Sequence, residues 1–63
     1  MLVLLPAYHA RNNGLHELKL RVDYLKELGA VNRGAFFNHG FVFECPDHVY
    51  DEWQDILGIV PFN

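Results

Sequence analysis

The side chains best suited to chemistry in this chain are His39, Cys45, Asp47 and His48. Imidazole and thiolate are zinc ligands, and a turn beside a helix start can bring them together. The spacing His-x5-Cys-x2-His matches no standard zinc pattern, and a fourth ligand would have to come from Asp47, His9 or His16. With His39 at the tip of a hairpin and Cys45 near its base, the two would lie roughly 15 Å apart at ~3.3 Å per residue. No metal site is therefore expected, and a metal-stabilised domain is kept only as an alternative. The same residues could be imagined as a nucleophile and its base, because a helix start lowers a thiol pKa. Cys45, however, alternates with Phe41 and Phe43 on a face expected to be buried, and Glu44 and Asp47 stand nearby. It reads as an inert buried thiol.

The carboxylates of Asp51, Glu52 and Asp55 form the next cluster. Helical spacing puts Asp51 and Asp55 on one face, with no glycine-containing calcium loop between them. Neither G-x-G-x-x-G nor G-x-x-x-x-G-K-[ST] occurs, and Gly29, Gly34 and Gly40 are accounted for by a helix cap and turns. No catalytic residue and no cofactor follow from these patterns, and the chain is not expected to be an enzyme.

The elements that must position these residues are legible from periodicity. Residues 2–5 are apolar on both alternating faces, which predicts a strand buried on both sides. Residues 8–13 read as a loop, and Asn12-Asn13-Gly14 as a turn that starts a helix. Over residues 15–28, Leu15, Leu18, Val22 and Leu25 make one helical line, and Leu20, Tyr24 and Leu28 a second. Together they span about 220° of the circumference, roughly twice the stripe needed to cover one sheet. Glu17 and Arg21, four apart, are placed to pair. Gly29 reads as a left-handed cap, with Val31 as its accompanying apolar contact. A hairpin follows, with strands at 35–37 and 41–45 around Asn38-His39-Gly40. Asp47 is expected to cap a helix over 48–57, whose apolar face is Val49, Trp53, Ile56 and Leu57. Gly58 ends it. The apolar tail 59–63 should dock on the core or on a neighbour.

The expected fold class is α+β, a single compact domain over 1–63. Its order is β-α-β-β-α, with a three-stranded mixed sheet, one helix on a face and a second short helix near the C-terminus. In that arrangement the first strand runs parallel to a later strand in a right-handed crossover, and the other two pair antiparallel. The chain is 63 residues long, 51% hydrophobic and 21% charged. That composition excludes a disordered tail, and the length excludes a second domain or a repeat array. A single cysteine forbids an intrachain disulfide and suits a reducing compartment. No stretch approaches the ~20 apolar residues of a membrane span, so a soluble, cytoplasmic protein is expected.

Charge is unevenly distributed. All Lys and Arg residues (Arg11, Lys19, Arg21, Lys26, Arg33) fall in the first 33 positions, with Glu17, Asp23 and Glu27; beyond them stand only Glu44, Asp47, Asp51, Glu52 and Asp55. The two parts carry +2 and −5 within the net −3. A nucleic acid is not the expected partner, because the aromatics that could stack bases have no basic rim.

Two architectural resemblances follow from these elements. The strand-helix-strand-strand order is similar to that of very small tautomerase-like enzymes. Those require a proline directly after the start methionine, where this chain has Leu2, so their chemistry is not expected. Residues 15–45 locally resemble the recognition helix and wing of winged-helix proteins, which gives a nucleic-acid-associated domain as an alternative function. That wing carries no basic residue beyond Arg33.

The reading that fits best is a small non-enzymatic regulatory or inhibitory protein that binds a larger protein partner. Compact acidic domains of this kind are common among accessory proteins of viruses and mobile elements. The expected partner-binding residues are Asp47, Tyr50, Asp51, Glu52, Trp53 and Asp55, the acids steering the encounter and the aromatics holding it. The surplus of apolar surface further predicts a homodimer or another tight complex.

Overall fold

The computed structural model describes residues 1–7, 9–36 and 38–62, with the side chains of 9–13 left out. Tyr8, Phe37 and Asn63, read above as loop, strand and tail, lie outside the described residues, as do the side chains of His9 and Arg11. The chain runs β1 (Leu2–Pro6), α1 (His9–Glu27), β2 (Val31–Phe36), β3 (Gly40–Glu44), α2 (Asp47–Leu57) and β4 (Val60–Pro61). The strands form one four-stranded sheet in the order β2-β3-β1-β4.

The α+β class stands, but the sheet differs from expectation in two respects. It has four strands, and every pairing is antiparallel: β1 with β3, β1 with β4, and β2 with β3. Both β1 and β2 oppose β3, so they run parallel to each other without touching. The hairpin return strand β3 has slipped between them, and the mixed sheet becomes antiparallel. The fourth strand is the apolar tail, which pairs Val60 with Leu4 and Pro61 with Val3. This split β-α-β connectivity is the ferredoxin-like order. That arrangement hosts many unrelated functions and assigns none by itself.

One face of the sheet carries the core. Val3 and Leu5 of β1 stand opposite Phe43 and Phe41 of β3. Val3, Leu5, Phe43 and Cys45 are buried together with Leu18 and Leu25 of α1, Val49 and Leu57 of α2, and Ala30 and Ile59. Both helices therefore cover this face. The alternation read from Phe41, Phe43 and Cys45 holds. The expectation that β1 is buried on both sides holds only at Pro6, because among the described residues no helix covers the second face. There Leu2 is exposed and Leu4 only partly buried.

Local deviations have local causes. Helical structure begins at His9 rather than after a loop, and Gly14, at φ 74° and ψ −174°, breaks it where the helix start was expected. β2 starts at Val31, earlier than expected, with a bulge between Asn32 and Gly34. Ala30, not Val31, is buried after Gly29; Val31 is half exposed. Pro46, not Asp47, occupies the N-cap of α2, with no side-chain cap. Gly58 ends that helix in the left-handed conformation as expected. Arg21 donates to Glu17 Oε1 at 2.7 Å, the pairing their spacing allows.

Candidate functional site

The outer side of α2 holds the carboxylates. At 100° per residue, Val49, Trp53 and Leu57 point to one side of this helix, and Asp51, Glu52 and Asp55 to the other. The burial agrees: Val49 and Leu57 are in the core, Tyr50 and Trp53 pack against it partly buried, and Asp51, Glu52 and Asp55 are exposed. The six residues singled out from the sequence therefore divide. Asp51, Glu52 and Asp55 share an exposed stripe, with no ion pair among the described residues. Asp47, at the start of the helix, faces the amino group of Met1 at 3.3 Å. Tyr50 and Trp53 lean inward, and the Trp53 ring lies 6.2 Å from that of Tyr24 on α1.

Sequence reasoning missed the apolar part of this surface. Ile56, assigned to the inner face of α2, is 67% exposed. It lines a shallow groove of about 180 Å³ between the helices, with Leu20 and Tyr24 of α1. Ile56 stands one turn after Glu52, at the border of the two faces, so its angular position was a usable signal. The second apolar line of α1 gave another: Leu20 and Tyr24 are exposed. Glu17 and Arg21, paired with each other, border the same groove.

The histidines and the cysteine do not converge. His39 sits in the β2–β3 turn, exposed, with its ring 5.2 Å from that of Phe36. His48 is exposed on α2, while Cys45 is buried and donates from Sγ to the Pro46 carbonyl at 3.4 Å. Among the described residues, no three His, Cys, Asp or Glu side chains gather as metal ligands. Burial pushes the Cys45 thiol above its usual range, and Asp47 adds to the rise; the positive N-terminus and the Tyr50 backbone oppose it. A thiol held in its protonated form is a poor nucleophile.

No protein family, curated protein or solved structure matches the chain. Among the described residues, no helix is long and apolar enough to cross a membrane.

Proposed function

We propose that this chain is a non-enzymatic regulatory or inhibitory protein that binds a basic surface of a larger protein through the outer side of α2. One observation carries the reading: Ile56, largely exposed, stands beside the carboxylates of Asp51, Glu52 and Asp55, which no described cation neutralises. Unpaired charges of one sign steer a partner of the other sign and set its orientation. An apolar residue among them supplies contact area that excludes water. Leu20 and Tyr24 extend that contact along the groove. Trp53 and Tyr50 support α2 from beneath and set its angle.

The test is co-purification from the native host with three baits: the wild-type chain, Ile56→Asp, and the double variant Asp51→Lys with Asp55→Lys. A partner with a basic contact surface, held by the wild type and lost by both variants, is expected. The wild-type complex should also weaken as salt rises. A partner held equally by all three baits would place the binding surface elsewhere.

A further inference from the structure

Among the described residues, the sheet face without helices is an apolar surface that the fold leaves partly exposed. Alternation puts Leu2, Leu4 and Pro6 of β1 on it, with Val42 and Glu44 of β3, Val31 and Phe36 of β2, and Val60 of β4. Leu2, Val31 and Val60 are exposed at 42–50%, and Phe36, at 36%, packs edge to face on Phe62. Among the described residues, the charges on this face are Arg33 and Glu44, which pair with each other, Arg33 Nε donating to Glu44 Oε1 at 3.0 Å.

We propose that this face is the contact between two copies of the chain, packed sheet to sheet in an isologous dimer. Charge selects the occupant. The chain carries −3, yet the described charges on this face, Arg33 and Glu44, cancel. A second copy meets no net repulsion here. Self-association through the groove at Ile56 would instead bring two acidic α2 surfaces together. A single-stranded nucleic acid fits less well, because Arg33, the one cation on this face among the described residues, is already paired.

Area sets the extent of the contact. The two longer extents of the Cα trace, 28 and 21 Å, give a face of roughly 600 Å², the lower end of what each partner of a stable complex buries. A lasting dimer must therefore use the whole face. Two such faces can interdigitate at the ~10 Å spacing of stacked sheets. The sheet edges compete poorly: β2 is broken by its bulge, and β4 has only two residues. The helix side of each copy, with its acidic α2, is left pointing outward.

Sedimentation equilibrium of the full chain tests this, with Val31→Lys and Val60→Lys on the face and Ile56→Asp as a control. The wild type and the control should be dimeric. The two lysine variants should weaken self-association by about tenfold or more while keeping the wild-type circular dichroism. Should a lysine variant fail to fold, isotope-filtered NOEs between labelled and unlabelled wild-type copies decide, and contacts from Val42 and Leu4 methyls are expected. A wild-type monomer at high micromolar concentration would overturn the proposal. So would a dimer that survives both lysine substitutions, NOEs confined to the helices, or binding of oligouridine by this face in place of a second copy.

Discussion

The rings of Phe36 and Phe62 meet edge to face, centroids 5.1 Å apart, although the two residues stand at opposite edges of the sheet. Phe36 ends β2, and Phe62 follows β4. The contact therefore clasps the two edges of the sheet to each other. The backbone supports one end: the Phe62 N–H donates to the Leu2 carbonyl at 3.0 Å.

That clasp should be measurable as a coupling. Phe36→Ala and Phe62→Ala are each expected to destabilise the chain, and the double variant by less than their sum. Urea unfolding of the four proteins should give an interaction energy of about 0.5–1.5 kcal/mol. Strict additivity would mean that the rings touch without supporting each other. Loss of Phe62 should also speed amide exchange in β4, which has little else to hold it.

Gly40 is the position least open to change. It holds φ 150°, and an added Cβ would overlap the Leu5 carbonyl oxygen in the neighbouring strand. Gly40→Ala should cost at least about 3 kcal/mol or prevent folding. Gly34, at φ 124° but with no atom within 4 Å of such a Cβ, is the matched control. Gly34→Ala should cost only the backbone strain, about 1–2 kcal/mol. Thermal unfolding of both checks the difference.

Folding and recognition should separate along α2. Trp53 packs against the core and Tyr24, so Trp53→Ala is expected to lose about 2–3 kcal/mol of stability. Ile56 is mostly in water, and Ile56→Asp should change stability by no more than about 0.5 kcal/mol while abolishing partner binding. Denaturant unfolding and the co-purification described above read the two effects independently. A stable Trp53→Ala protein that no longer binds would move that side chain into the contact surface.

Cys45 ties stability to alkaline pH. Its thiol is raised above 9.0 by burial, so the folded chain holds this proton more tightly than the unfolded chain does. The contribution is full below 9.0 and is lost as pH climbs from there toward the folded-state value. A urea midpoint that falls more steeply with pH across this range in the wild type than in Cys45→Ala is expected. The thiol should also react slowly with a disulfide reagent in the native state and rapidly in denaturant. Fast native labelling at neutral pH would contradict its burial.

Several features of the chain were readable without coordinates because they rest on local physics. The period-3.6 line through Leu18 and Leu25 identifies α1. The period-2 line through Phe41, Phe43 and Cys45 identifies the buried side of β3, and Gly40 and Gly58 mark a turn and a helix end by conformations that side chains oppose. The acidic stripe of α2 follows from the same helical spacing. What the residues could not tell is which strand lies beside which. β3 lies between β1 and β2 and pairs with both, and no local pattern encodes that choice. Val60 and Pro61 are too short a run to declare themselves a strand, and only the open edge of β1 makes them one. The bare sheet face and the groove at Ile56 exist for the same reason: exposure of an apolar residue depends on what the rest of the chain has strength and length left to cover.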